Sequence, residues 1–270
     1  MTARDPLRNV RGEHRRALIR LLQQISNTTH ASRWDVFQHF VELCAISIAN
    51  IAPPSKDVFE RREAGYHAIR KAYPTDAFAL FPQALGELQL ATSVEGGDVL
   101  GEVFQGLEVN NAWKGQFFTP YSVSRMMAEM NDLPKALAEK ESSGEPLTIC
   151  DPAIGAGSLM IACVDIFRER EIKYERVAHF TGIDIDQRCV HMAFAQLALR
   201  GAPAMVIHGN ALTMEQWDVW FTPAHVLLGW SERLLHHGES ALAQTVTQIK
   251  GGALSAAQLP LFDQLNNRAS

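Results

Sequence analysis

A glycine-rich turn between a short apolar strand and a helix constrains the fold of this chain more than any other feature. The segment Leu147–Leu159 reads LTICDPAIGAGSL, in which an apolar run ends at Asp151 and a helical pattern, Ser158–Arg168, follows the turn. Strand, glycine turn and helix in this order are typical of a nucleotide-binding βα unit. Gly155 and Gly157 lack a Cβ, so the backbone can turn sharply and a ligand can approach it closely. An ordinary βα loop would show the same pattern, so the turn needs support from the rest of the chain.

The βα pattern repeats after the glycine turn. Two further apolar segments, His179–Asp184 and Ala204–His208, are separated by the helical pattern Gln187–Arg200, and a fourth run, Trp217–Phe221, comes next. Strands that alternate with helices predict a parallel sheet with right-handed crossovers. In the order 3-2-1-4, the fourth strand would lie at an edge and its aromatic side chains would need a cover. Residues 224–249, a second copy of the chain or a partner would supply it.

Residues 1–112 carry helical patterns instead. Glu13–Ile25 and Trp34–Ile51 place apolar residues three and four positions apart, and Asp98 is a candidate N-cap for a later short helix. We therefore expect an all-helical N-terminal domain over residues 1–112 and an α/β domain over residues 113–250. Residues 251–270, rich in alanine and glutamine, are expected to form a flexible tail.

Composition excludes several classes of protein. A net charge of −5 argues against a uniformly basic nucleic-acid binder, although the first twenty residues contain six arginines. No apolar run reaches the roughly 18–20 residues that a membrane span needs. The four cysteines have neither disulfide nor metal-ligand spacing. We expect a cytoplasmic protein with reduced thiols, no bound metal and no membrane contact.

Polar residues follow the second and third predicted strands. Asp184 ends the second strand, where dinucleotide-binding folds place the acid that accepts the ribose hydroxyls. Asp186 is a weaker candidate for the same role. Asn210 follows the third strand and could read an adenine edge with one donor and one acceptor, or it could simply be the turn residue of a Gly-Asn pair.

Four motifs extend this pattern: KGQFFTPY (Lys114–Tyr121), ICDPAIGAGSLM (Ile149–Met160), GIDID (Gly182–Asp186) and HGNAL (His208–Leu212). In this order they resemble the S-adenosylmethionine-dependent N6-adenine DNA methyltransferases. The modification subunits of type I restriction systems, which also carry a helical N-terminal domain, are the most similar. The resemblance implies a Rossmann-like methyltransferase domain, S-adenosylmethionine as cofactor and DNA as substrate. It also implies a specificity subunit or a second copy of the chain as partner.

The resemblance implies roles for individual positions. Thr119, with Pro120 and the neighbouring Phe118, would hold the methionine end of the cofactor. The same part of the cofactor would be lined by Asp151, Ala153, Gly155 and Gly157. Asp184 would bind the ribose and Ile185 would pack on the adenine. Asn210, where the family often has aspartate, would contact the adenine amine.

The catalytic motif of the family is missing. The family follows its fourth strand with Asn/Asp-Pro-Pro-Tyr/Phe, in which the aromatic ring stacks on a flipped-out adenine and the polar side chain accepts from its amine. Here Thr222-Pro223-Ala224-His225 stands after the fourth strand, and the motif occurs nowhere in the sequence. Thr222 or His225 could accept a hydrogen bond in its place. The sequence therefore leaves two interpretations: an active DNA adenine methyltransferase, and an impaired relative that binds cofactor and regulates DNA or a partner.

The tail contains a second short motif. Gln258–Phe262 reads QLPLF, which resembles the pentapeptide that bacterial proteins use to dock on the replicative sliding clamp. Leu259, Leu261 and Phe262 would be the apolar anchors on a flexible leash, and Gln258 would fix their orientation. A tail that folds back onto its own domain would account for the same residues.

Overall fold

The structure is a computed structural model that describes residues 10–107 and 118–237. Its first part is helical, as predicted. The helices are α1 (Glu13–Thr29), α2 (Arg33–Ala49), α3 (Lys56–Lys71), α4 (Thr75–Phe78), α5 (Leu80–Leu90) and α6 (Val99–Gly106), with a π-helical turn at Ala91–Glu95 after α5. Hydroxyl side chains begin α2 and α3, since Ser32 and Ser55 accept from backbone amides of the first turn. Asp98 accepts from the Gly101 amide and caps α6, which confirms the predicted N-cap.

The second part alternates helices and strands. Its elements are α7 (Tyr121–Met130), α8 (Leu133–Ser143), β1 (Leu147–Asp151), α9 (Ser158–Glu169), β2 (Ala178–Asp184), α10 (Gln187–Leu199), β3 (Ala204–Asn210), β4 (Glu215–Phe221), α11 (Pro223–Leu227) and α12 (Trp230–His236). The predicted α/β class is confirmed. One apolar core runs from Val10 to Trp220, so the helices of the first part and the sheet share it. The domain limits at residues 112 and 250 stay predictions. None of the described helices is long and apolar enough to cross a membrane.

The sheet corrects the predicted strand order. Its order is β1-β2-β3-β4; β1, β2 and β3 are parallel, whereas β4 pairs antiparallel with β3. The expected order 3-2-1-4, with a parallel fourth strand beside β1, is therefore wrong. The physical reason is the connection: residues 211–214 form a hairpin turn, whereas a parallel neighbour needs a crossover of about a dozen residues or more.

The second half of the edge strand β4, residues 219–221, is covered on both faces. Arg62 of α3 lies over the Trp220 ring at 4.1 Å from its centroid and donates to the Val219 carbonyl at 3.2 Å. On the other face, Val226 of α11 packs against the apolar cluster that includes Val219 and Phe221. The aromatic cover that the sequence required thus comes from an N-terminal helix as well as from the segment after β4. Trp217, by contrast, is 47% exposed, so the expectation that the aromatic side chains of this strand are covered is wrong for this residue.

A buried histidine pair fastens the end of the described chain to the sheet. His179 at the start of β2 lies with its Nε2 2.8 Å from Nδ1 of His225 on α11. His225 Nε2 lies 2.9 Å from the Ser231 hydroxyl of α12. Both rings are buried, and burial, with His225 adding to it, holds the pKa of His179 well below its usual range. Burial also lowers the pKa of His191 on α10 to about 3.

These neutral histidines should make the fold less stable in acid. An unfolded chain protonates its histidines as the pH falls below about 6.5, whereas the folded protein keeps His179 and His191 neutral. Because the unfolded state then binds more protons, the free energy of unfolding should fall by about 2 kcal/mol per buried histidine between pH 7 and pH 5. Urea unfolding at the two pH values measures this loss. In His191→Phe this loss between pH 7 and pH 5 should be about 2 kcal/mol smaller than in the wild type. The control is the exposed His67→Gln variant, which should lose as much stability as the wild type. An equal loss in the two variants would contradict the interpretation of His191 as a buried neutral group.

Candidate functional site

A cavity of about 800 Å³ lies at the edge of the sheet where β1, β2 and β3 end. Asp151, Asp184 and Asn210 are the last residues of these strands, and all three line the cavity. This is the edge at which parallel α/β sheets bind ligands. The predicted cofactor residues that line it are Phe118, Thr119, Asp151, Ala153, Gly155, Asp184, Ile185 and Asn210.

Two predicted residues do not line the cavity. Pro120 precedes the first turn of α7 and Gly157 precedes the first turn of α9. Residues 114–117 of the KGQFFTPY motif, and Gln258, Leu259, Leu261 and Phe262 of the tail, lie outside the described residues.

The glycine turn has the geometry that its sequence predicts. Gly155 has φ +54° and Gly157 has φ +90°, values in the left-handed region that favours glycine. A Cβ on Gly157 would lie 3.2 Å from the Ala193 Cα, so this glycine also lets α9 start close against α10. Asp151 Oδ1 accepts from the Ala153 amide at 3.0 Å and fixes the beginning of the turn.

Asp184 is held by the turn. One carboxylate oxygen accepts from the Gly155 amide and the other from the Asp186 amide, each at 2.9 Å. Burial raises the pKa of Asp184, while these two backbone hydrogen bonds lower it. A carboxylate has about four acceptor positions, so both oxygens can still accept from a ligand. Asp186, the weaker candidate, caps α10 and pairs with Arg188.

Asn210 is the turn residue of the β3–β4 hairpin and also lines the cavity. Its side-chain oxygen accepts from the amides of Leu212 at 2.9 Å and Thr213 at 3.3 Å. This oxygen is engaged by the turn, so the amide NH₂ is the group left to meet a ligand. The turn interpretation of Asn210 is thus confirmed, whereas the predicted contact with the adenine amine would need the oxygen that the turn already engages.

The cavity also has lining residues that the sequence did not single out. Ser124 of α7 and Ser158 of α9 line it, and their hydroxyls are buried without a hydrogen-bond partner in the described part of the chain. Met127 and Leu212 add apolar surface, and Leu212 is 94% exposed. Ser158 and Leu212 are inside the quoted motifs and could have been named from them. Ser124 and Met127 required the placement of α7 against α9.

The segment Thr222–His225, which stands in place of the catalytic motif, lies at the edge of the sheet opposite to the cavity. Because β4 is antiparallel, Phe221 pairs with Met205 at the beginning of β3, so the chain leaves β4 at the amino ends of the parallel strands. Thr222 donates to the Ala202 carbonyl at 2.7 Å and accepts from the Ala204 amide at 2.8 Å. Thr222 and His225, which could have accepted a hydrogen bond in place of the family's motif, thus lie away from the cavity, and no catalytic residue was assigned from the sequence.

A buried amide supports the glycine turn from behind. Gln196 of α10 is fully buried and donates to the Ala156 carbonyl of the turn at 2.9 Å and to Asp98 at 2.8 Å. Its oxygen accepts from the Leu100 amide at 3.1 Å. One side chain thus joins the turn, α10 and the start of α6.

Arg200 and Asp165 form a second buried network, which connects α9, the Gly97 backbone and α7. Arg200 donates to Asp165 of α9 at 3.1 Å and to the Gly97 carbonyl at 2.6 Å. Asp165 also accepts from the Gly97 amide at 3.0 Å and from the Tyr121 hydroxyl at 2.7 Å. This network brings α7, which carries Ser124 and Met127, against α9.

The parallel strands β1–β3, the glycine turn and the cavity at their carboxyl edge define a Rossmann-like α/β domain. Residues 96–229, just under half of the chain, match the N-6 DNA methylase family. The curated proteins gave no match.

Two solved structures are similar. One, from Listeria monocytogenes, is assigned to the class I S-adenosylmethionine-dependent methyltransferases. It matches with a TM-score of 0.40 and 15% sequence identity, and the match covers 74% of this chain and 54% of that one. The other is the methyltransferase subunit of a type I restriction-modification system from Streptococcus thermophilus. It matches with a TM-score of 0.37 and 12% sequence identity, and the match covers 72% of this chain and 58% of that one. The chain spans a little more than half the length of each.

Removing the Gln196 amide should destabilise the protein. Gln196→Met keeps the side-chain length but leaves the Leu100 amide and the Ala156 carbonyl buried without this partner. We expect the free energy of unfolding in urea to fall by about 3 kcal/mol or more. Gln89→Met, on the exposed face of α5, is the matched control and should change it little. A loss in Gln196→Met no larger than in the control would show that the network is not needed.

Proposed function

We propose that the cavity binds S-adenosylmethionine and that the protein is a cofactor-binding member of the N6-adenine DNA methyltransferases. The observation that carries the proposal is Asp184: a buried carboxylate at the end of β2, fixed by two backbone amides and still able to accept two hydroxyls. A ribose offers two adjacent hydroxyls of this kind. The match of residues 96–229 to the N-6 DNA methylase family supports the choice of cofactor.

Other residues of the cavity fit the remaining parts of this cofactor. Ile185 is 61% exposed beside Asp184, so an adenine ring could cover it. The Asn210 amide could then donate to the same ring. The hydroxyls of Ser124 and Ser158, which have no partner among the described residues, suit the polar methionine end together with Thr119. When bound, the cofactor supplies an electrophilic methyl group.

We infer that DNA methylation by this chain alone is weak or absent. The sequence contains no Asn/Asp-Pro-Pro-Tyr/Phe, and Thr222 and His225 lie at the opposite edge of the sheet from the cavity. Acceptors that orient the target amine would therefore have to come from other residues or from another polypeptide. This favours the impaired relative, a cofactor-dependent binder of DNA or a partner, over the self-sufficient enzyme.

The proposed partners follow from the same reasoning. DNA is the substrate class of the family, and a specificity subunit or a second copy of the chain could complete the site. Docking of the Gln258–Phe262 segment on a sliding clamp also stays a proposal, as does a cytoplasmic location.

Asp184→Ala should weaken binding of S-adenosylmethionine by about 1–3 kcal/mol, because buried hydroxyls lose a charged acceptor. Isothermal titration calorimetry on the purified protein measures the dissociation constant. Asp57→Ala, which removes an exposed carboxylate on α3, is the matched control and should bind like the wild type. Equal affinities for all three proteins would remove the ribose assignment.

Transfer of tritiated methyl groups to mixed-sequence DNA should be at least about a hundredfold slower than for a family member with the full motif, since misplaced reacting groups cost about that much. The assay is run with the chain alone and with candidate partner subunits added. Fast transfer by the chain alone would contradict the impaired interpretation while leaving the cofactor proposal intact.

A further inference from the structure

A second cavity of about 340 Å³ lies between α2, α3, α10 and the β3–β4 hairpin. It shares no lining residue with the cofactor cavity. Its polar and aromatic lining comes mainly from Glu42, Arg61, Arg62, His191, Trp217 and Trp220. Nothing in the proposed binding of S-adenosylmethionine uses these side chains.

Several buried nitrogen atoms around this cavity have no hydrogen-bond partner in the described part of the chain. They are Nε and Nη1 of Arg62, Nε1 of Trp220 and Nε2 of His191. The three residues are 4%, 3% and 2% exposed. Stacking on the Trp220 ring occupies the face of the Arg62 guanidinium, but it leaves these in-plane N–H groups unmatched. The Arg62 and Trp220 nitrogens are donors, whereas Nε2 of the neutral His191 ring donates or accepts according to its tautomer. Unmatched buried donors are rare and costly, so the three on Arg62 and Trp220 point to a ligand that accepts hydrogen bonds.

The charges around the cavity argue against a simple anion. Arg61 pairs with Asp218 at 2.9 Å, which leaves the Arg62 guanidinium and the Glu42 carboxylate as the opposed charges. Burial raises the pKa of Glu42, which is consistent with a carboxylate partly removed from water. A ligand that matches both groups must carry acceptors and donors together.

The rim of the cavity is aromatic. Trp217 is about half exposed, and His208 lies against it with ring centroids 4.9 Å apart. An exposed indole beside a polar cavity is a stacking surface for a flat heterocycle, and base–aromatic stacking tolerates any nucleobase.

We propose that this second cavity binds a nucleobase, with guanine as the best complement. Guanidinium groups donate to O6 and N7 of guanine, and a carboxylate such as that of Glu42 can accept from its N1–H and N2–H₂. The base stacks at Trp217. The base can belong to a free nucleotide or be unstacked from DNA. The site is separate from the cofactor cavity, and the proposal does not depend on methyl transfer.

Calorimetry and tryptophan fluorescence on the full chain test this proposal. The probes are GMP, CMP, AMP, inorganic phosphate and two single-stranded oligothymidylates, one containing a single guanine. GMP should bind and quench the fluorescence more strongly than CMP or AMP. Trp217→Phe should reduce the quenching, and Glu42→Gln should weaken GMP binding about tenfold or more. The matched control is Glu60→Gln, an exposed carboxylate on α3, which should bind like the wild type.

The outcomes separate the alternatives. Tighter binding of the guanine-containing oligonucleotide than of GMP identifies DNA as the source of the base, whereas binding of GMP alone identifies a free nucleotide. Phosphate binding that matches GMP and strengthens in Glu42→Gln would overturn the proposal in favour of an anion site. Absence of binding by every probe at millimolar concentration would overturn it in favour of a water-filled cavity. Affinity for S-adenosylmethionine should be unchanged in Glu42→Gln. A failure of the nucleobase proposal can therefore be distinguished from a failure of the S-adenosylmethionine proposal, which Asp184→Ala tests.

Discussion

The buried amide of Gln196 is the interaction on which the rest of the structure depends. It reaches the glycine turn through the Ala156 carbonyl, and it reaches the helical part of the chain through Asp98 and the Leu100 amide. A buried polar group of this kind stabilises a structure only when every partner is in place. The shape of the cavity at the carboxyl ends of β1, β2 and β3 is therefore tied to the helices that precede the sheet.

The direction of β4 separates the two ends of the sheet by function. At the carboxyl edge of β1, β2 and β3, backbone amides and carboxylates surround a cavity. At the amino edge, Thr222, His225 and His179 are buried and engage one another or the backbone. Groups at the amino edge stabilise the fold, and the chemistry proposed for the chain is confined to the other edge.

The helical part contributes more than a scaffold. Arg62 covers Trp220 at the edge of the sheet, and together with Glu42 it brings charge into a second cavity that the strands alone would not form. The exposed Leu212 and Ile185 beside the first cavity are apolar surfaces of the kind that a bound ligand covers. Two neighbouring cavities, one lined by the strand ends and one by the helices, thus share the β3–β4 hairpin as a common wall.

Features that depend on neighbouring residues could be predicted from the sequence. Strand β1, the left-handed glycines 155 and 157, the N-cap Asp98 and the position of Asp184 at a strand end all follow from local pattern and backbone sterics. Packing between distant segments set the partner and direction of β4, the cover supplied by Arg62, and the burial of the Ser124 and Ser158 hydroxyls away from any partner in the described part of the chain. These features depend on packing between segments far apart in the chain, and local periodicity carries no information about which distant surface a strand or side chain will meet.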